Sequence, residues 1–199
     1  NASGMSAVLF AARYLAAFRG KLTHTVRFCF FNGEEAGLLG SKSYAATLKM
    51  LKSPVKAVIC ADMLGYNSDA QRIFEIHAGY TDPAIRDKSV PIAARVAFWA
   101  AGLGVLQPAQ IYQGTSVTSG APDRNLCDPA INRSDHAAFH QQGFPAVVVT
   151  EDYFANQAGE PAKDPNPNYH TAGDTVIDAV YGVSIAGAIA CSIKELARS

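Results

Sequence analysis

Short runs of β-branched, aromatic and aliphatic residues alternate along this chain with longer stretches of helical periodicity, and that alternation restricts the fold more than any other feature. Thr25 to Phe31 (TVRFCFF), Val55 to Met63 (VKAVICADM) and Ala146 to Thr150 (AVVVT) are mostly apolar on both side-chain parities, so each reads as a strand buried on both faces. Arg72 to His77 alternates and reads as a further strand. Met5 to Phe18 reads as a helix with Val8, Leu9, Ala12, Leu15 and Ala16 on one face, ended by Gly20. Gly37 to Leu51 reads as a second helix, with Leu38, Leu39, Tyr44, Ala45 and Leu48 turned inward, closed by Pro54. Val90 to Leu103 reads as a third, ended by Gly104, and Thr175 to Leu196 as the last, capped by Asp174. Buried strands joined through helices imply an α/β fold: a mostly parallel, mixed sheet with helices on both faces. A length of 199 residues fits one such domain.

Lys and Arg together number 17, as do Asp and Glu, so bulk charge gives no attraction to nucleic acid or anionic lipid. The longest apolar stretch, Val183 to Ile193, is too short and too rich in Gly and Ala to span a bilayer. Partners must then be selected by a local site. Cys29, Cys60, Cys127 and Cys191 lack CxxC spacing, which argues against a zinc knuckle. Cys29, Cys60 and Cys191 lie in apolar runs and read as buried thiols, whereas Cys127 sits in a polar loop and reads as exposed. Gln113 to Arg133 and Phe154 to Asn168, the latter with Pro161, Pro165 and Pro167, show no periodicity; loops of this length in a compact domain are usually functional or disordered.

Four places carry chemistry. Glu34 and Glu35 follow one expected strand and precede a helix, which is where α/β sheets bind ligands. They could be solvated carboxylates favoured by a helix dipole, or one could bind a metal while its neighbour handles a proton. Asp62 ends the next strand and points to the same rim, where clustered carboxylates repel unless a cation is present. His170, preceded by Tyr169, stands at a helix start, and carboxylate with imidazole suits zinc. In Arg133-Ser134-Asp135-His136, Ser134 could cap a helix and Asp135 could hold His136; the group reads as supporting metal ligands from behind more than as ligands themselves. His24, His77 and His140 have no acidic motif around them and read as surface or packing residues.

Taken together, NASG before a helix, NGEEAGLLGS, ADMLGYN, RSDHAAF with GFPAV, and YHTAGDT resemble the two-zinc aminopeptidases of the bacterial leucyl-aminopeptidase type, relatives of glutamate carboxypeptidases and glutaminyl cyclases. The resemblance runs from Asn1 to the last helix and is weakest between Tyr80 and Asn132. It implies Glu34 as general base, Glu35 and His170 as ligands of one zinc, Asp62 as a ligand of the second, Tyr169 as stabiliser of the tetrahedral intermediate, and Arg133 near the end of the substrate. It also implies two ligands upstream: a His in His-x-Asp, and a bridging Asp expected just before the Asn-x-Ser-Gly at which this chain begins. On that expectation the chain is an N-terminally incomplete catalytic domain, lacks the first strands of its sheet, and needs the upstream segment for its remaining ligands. The implied activity is release of N-terminal residues from peptides with a free N-terminus, in a secreted or periplasmic protein. The alternatives are a non-catalytic binding or scaffold protein on the same fold, and an exopeptidase or cyclase with another end-group preference.

Overall fold

The computed structural model describes residues 1–104, 106–117, 123–154 and 162–199. Among these residues five helices and four strands follow in the order α1 (Ala2–Ala16), α2 (Leu39–Met50), β1 (Val58–Ala61), β2 (Phe74–His77), α3 (Pro83–Leu103), β3 (Gln110–Tyr112), α4 (His136–Gln141), β4 (Ala146–Glu151) and α5 (Ala179–Leu196). The strands form one sheet in the order β1-β4-β2-β3. β4 runs parallel to β1 and antiparallel to β2, and β2 runs parallel to β3. Every residue of β4 is buried, as an interior strand covered on both faces requires.

Each face of the sheet has its own core. Phe74, Ile76, Val147 and Val149 pack with Ile92 and Val96 of α3 and with Tyr181, Ile185 and Ile189 of α5. On the other face Ala146 packs with Ala45 and Leu48 of α2 and Phe139 of α4. The mixed sheet with helices on both faces is therefore as expected. α5 has the length and mean hydropathy of a membrane span, but here it buries Tyr181, Ile185, Ala186, Ala188, Ile189, Ala190 and Ser192 and packs on α1 and α3.

Several details depart from expectation. Thr25 to Phe31 has no regular secondary structure and pairs with no strand among the described residues, and Phe28 and Phe30 remain 36% and 50% exposed. This segment and β1, an edge strand, both line a cleft of about 2060 Å³. An apolar, β-branched run has strand propensity, but a strand exists only where a neighbour takes its N–H and C=O groups. α3 begins two turns before Val90, where Asp82 caps Ala84 N at 2.9 Å ahead of Pro83; its first turn and a half is exposed apart from the half-buried Ile85 and Arg86 and has no apolar stripe to detect. α5 begins at Ala179, and its cap is Asp178, which accepts from Tyr181 N at 3.0 Å, rather than Asp174. β3 and α4 are too short for periodicity to detect. Of the two long loops, 118–122 and 155–161, with Pro161, lie outside the described residues.

All four cysteines are free, and Cys127 is the buried one, while Cys29, Cys60 and Cys191 are half-buried. The loop that carries Cys127 folds back beside Ser116 and packs its backbone on Gly114, which removes the thiol from water. His24 is exposed and His140 is a packing residue, but His77 lies fully buried between two carboxylates.

Candidate active site

The carboxyl ends of the parallel strands β1 and β4 lie side by side, and each delivers an acid: Asp62 just after β1, and Glu151 as the last residue of β4. Asp62 N continues the ladder onto Val149 O at 3.1 Å. The chain then turns sharply at Met63, whose φ of 54° is left-handed, and Met63 O accepts Glu151 N at 2.7 Å. Glu151 Oε2 accepts the next two amides, Gly65 N at 3.1 Å and Tyr66 N at 2.8 Å, so its carboxylate holds the turn that orients Asp62. The start of α1 braces the turn from the other side: Asn1 Nδ2 donates to Asp62 Oδ1 and to Ala61 O, and Ser3 Oγ accepts Leu64 N at 2.9 Å. Ser134 Oγ donates to Asp62 Oδ2 at 2.7 Å.

Glu34 and Glu35 lie in a tight turn before α2. Glu34 O accepts both Gly37 N at 2.9 Å and Leu38 N at 2.8 Å. Gly33 (φ 65°) and Gly37 (φ 101°) adopt left-handed conformations that a side chain would resist, which is why glycine flanks the acidic pair. His170 Nε2 lies 2.6 Å from Glu35 Oε1, although the residues are far apart in sequence. His170 itself is left-handed, with φ 60°, in a turn closed by Thr171 N onto Asn168 O at 3.0 Å. A non-glycine residue in this region signals constraint, often at a functional site. The Tyr169 ring stacks on the His170 ring at 3.8 Å.

The electrostatics agree with an acid-rich cleft. Burial, then the charges of Asp62, Glu35 and Asp135, push Glu34 up to about 7, and His170 opposes the shift. Burial raises Asp62 against the lowering effect of the Ser134 hydrogen bond, and burial also raises Asp135. Tyr169 is pushed up to about 12 by burial and then by Glu35 and other neighbours, so its hydroxyl stays protonated.

Glu34, Glu35, Asp62, Arg133, Ser134, Asp135, Tyr169 and His170 thus all line the one cleft. Arg133 is exposed on that lining. His136 does not join them: it is fully buried in α4, neither ring nitrogen has a hydrogen-bond partner among the described residues, and burial holds its pKa well below the usual histidine range. Asp135 does not hold it, because the Asp135 carboxyl lies close enough to Glu34 and Asp62 to raise both. The sequence reading missed Glu151, Asn1 and Ser3 as site residues. Glu151 obeys the rule that singled out Asp62, an acid closing a buried strand.

The donor set suits zinc in kind. Glu35 and His170 offer oxygen and nitrogen to one point, and crowded, partly buried carboxylates are relieved by a cation. In number it falls short: among the described residues no group of three His, Cys, Asp or Glu side chains is arranged to hold a metal ion, whereas a catalytic zinc generally takes three protein ligands.

Comparison with known proteins identifies the family. The family described as Peptidase family M28 matches residues 1–184. Leucine aminopeptidase 2 of Trichophyton equinum is 29% identical over the whole of this chain, which covers 38% of that protein. Among solved structures, an aminopeptidase from Aneurinibacillus sp. strain AM-1 superposes with TM-score 0.64 at 26% identity, covering all of this chain and 39% of that one. BSAP, a zinc aminopeptidase from Bacillus subtilis, gives TM-score 0.66 at 21% identity, again over all of this chain and 42% of that one. The chain therefore spans about two-fifths of the length of these relatives. With a match that runs from Asn1 to the second turn of α5, the chain belongs to Peptidase family M28.

Proposed function

We propose that this chain carries much of the active site of a zinc-dependent aminopeptidase that releases N-terminal residues from peptides with a free N-terminus. The observation that carries the reading is the convergence of Glu35 and His170 at 2.6 Å beside Glu34, a carboxyl raised to about 7. Leucine aminopeptidases and a zinc aminopeptidase among its relatives support it.

Glu35 and His170 would hold one zinc and Asp62 a second, with further ligands from the rest of the protein. Zinc bound there would polarise the scissile carbonyl and acidify a water molecule. Glu34, as carboxylate, takes the proton of the attacking water and returns it to the leaving amine. Tyr169 keeps its hydroxyl proton and donates a hydrogen bond to the developing oxyanion. Ser134 and Glu151 fix Asp62 and its turn. The carboxylates of the cleft attract the α-ammonium of the substrate, which restricts cleavage to the first residue, and Arg133 lies where the substrate extends away. Export to the periplasm or medium rests on the resemblance alone.

The test is a substrate pair assayed with the full-length protein and added zinc. Leucine anilide should turn over and N-acetyl-leucine anilide should not. Equal turnover of both would refute N-terminal recognition, and turnover unchanged after exhaustive chelation would refute zinc dependence.

A further inference from the structure

The proposed chemistry leaves unused a charged cluster inside the sheet. Glu75 and His77 are two residues apart on β2, so both project from the face opposite Phe74 and Ile76, and both are fully buried. His77 Nδ1 lies 2.7 Å from Asp128 Oδ1, and His77 Nε2 lies 2.9 Å from Glu75 Oε2. A carboxylate offers only acceptors, so both ring nitrogens must donate and the ring is an imidazolium. Burial alone lowers the pKa of His77, but the Asp128 charge and the hydrogen bonds that the ring donates to Asp128 and Glu75 outweigh it and bring it to about 9. The Tyr112 ring stacks on it at 5.0 Å and Phe154 meets it edge-on at 5.3 Å.

Each carboxylate also holds backbone. Asp128 Oδ2 accepts Gly79 N and Oδ1 accepts Ala130 N, both at 2.8 Å; this starts the segment that leads to Ser134 and its bond to Asp62. Glu75 Oε2 accepts Phe154 N at 3.0 Å. Phe154 follows Tyr153, whose ring lies 4.8 Å from Tyr169, which in turn stacks on His170. One imidazolium therefore joins two segments that reach opposite members of the candidate site.

We propose that His77 is a positioning residue, whose imidazolium fastens the 128–135 and 151–154 segments to β2 and thereby places Asp62 and the Tyr169–His170 pair relative to each other. The other titratable groups around the cluster are His136 and His140 of α4, Asp152 beside Glu75, Tyr112 of β3 and Tyr181 of α5. His136 and His140 are driven far below the usual histidine range, to about 4 for His140, so none of these groups is positive at neutral pH. The sign follows from a raised histidine: its stabilisation is complete below about 6.5 and is lost as pH rises through about 9. Above that pH one ring nitrogen presents a lone pair to a carboxylate.

The experiment compares wild type, Glu75→Gln and His77→Gln in the full-length, metal-loaded protein, from about pH 6 to about pH 10. Three quantities are read: His77 protonation by NMR of nitrogen-labelled histidine, amide exchange at Gly79, Ala130 and Phe154, and kcat and KM on leucine anilide. In wild type, protection factors at the three amides, taken relative to the intrinsic exchange rate at each pH, should fall at least about tenfold, and kcat fall about 10- to 100-fold with KM nearly constant, as His77 loses its proton near pH 9. In Glu75→Gln the amide nitrogen can donate to a neutral imidazole whose Nδ1–H still serves Asp128, so the alkaline step at Gly79 and Ala130 should vanish, while Phe154 N, which shares Glu75 Oε2 with His77, loses its acceptor and should be less protected at every pH. His77→Gln can satisfy only one carboxylate and should show the loosened state already at neutral pH. The kinetic arm rests on the aminopeptidase reading, whereas the exchange arm does not. Absent turnover with the three exchange patterns intact would remove that reading and support the positioning role. An alkaline step unchanged in Glu75→Gln, or exchange and kcat unchanged while His77 titrates, would overturn the proposal; both measurements stand even if His77→Gln fails to fold.

Discussion

Replacing Asp178 by alanine should loosen the last helix and the site loop before it, by an amount the contacts specify. Asp178 Oδ1 caps α5 through Tyr181 N at 3.0 Å, and Oδ2 receives Arg72 Nε at 3.1 Å and Asn67 Nδ2 at 3.4 Å. Its own amide bonds Gly65 O at 2.8 Å and survives the substitution. Loss of an N-cap costs about 1 kcal/mol, within roughly 0.5–2. The Arg72 ion pair adds about 0–1 kcal/mol, since its side chains are 34% and 18% exposed. The sum, roughly 0.5–3 kcal/mol, lowers Tm by roughly 1–12 °C at about 2–4 °C per kcal/mol. The amide of Tyr181 is the main cause that holds the Asp178 carboxyl below its usual range. A depressed carboxyl stabilises above its unfolded pKa, so the difference between wild type and variant should shrink as pH falls through the lowered value. Asp174→Ala is the control, because Asp174 lies outside α5 and, among the described residues, its side chain accepts only from Asn166 Nδ2, at 2.7 Å; it should cost under about 1 kcal/mol. Paired thermal and urea unfolding curves decide the matter. A larger loss for Asp174→Ala than for Asp178→Ala would show that the cap is misplaced and the account of this segment wrong.

Ser134→Ala removes the 2.7 Å hydrogen bond to Asp62 and should cost about 1.5–3 kcal/mol in stability, with lower zinc affinity by calorimetric titration; unchanged affinity would separate Ser134 from the site. Glu151 is buried and raised to about 7, chiefly by burial, so ionising it costs stability as pH climbs from about 4.5 to about 7. In metal-free protein Glu151→Gln should therefore be more stable than wild type by about 2–3 kcal/mol at pH 8 and equal to it near pH 4.5, and the reverse order in urea titrations would refute the assignment. A Cβ on Gly114 would meet Cys127 N at 1.9 Å and the Leu126 carbonyl carbon at 2.1 Å, so Gly114→Ala should expose the Cys127 thiol to labelling far faster than in wild type.

Much of this was legible in the sequence because it depends on local pattern. Doubly apolar runs gave β1 and β4, and alternation in FEIH gave β2. Glu34, Glu35, Asp62 and His170 were legible because chemistry concentrates acids and imidazole where strands end and helices begin. What failed depends on partners that sequence does not display. Thr25 to Phe31 has every strand propensity, yet no described residue pairs with it. His77 reads as a lone histidine because Asp128 is 51 residues away, although Glu75 at i−2 was a visible signal, since two residues along a strand share a face. Asp174 and Asp178 are equally good caps by type; Tyr181, buried against the core with its hydroxyl on Ile73 O at 2.6 Å, fixes the helix start four residues later.

The central claim, that Glu34 moves the proton while Glu35 and His170 bind zinc, is tested most directly by Glu34→Gln and Glu35→Gln side by side, with zinc counted by elemental analysis and kcat measured on leucine anilide. Glu34→Gln should lose about 10²- to 10⁴-fold in kcat with its zinc content intact, because a base is needed in the transition state and does not hold the metal. Glu35→Gln should lose zinc together with activity. Zinc lost from Glu34→Gln and kept by Glu35→Gln would reverse the roles of the pair and contradict the account.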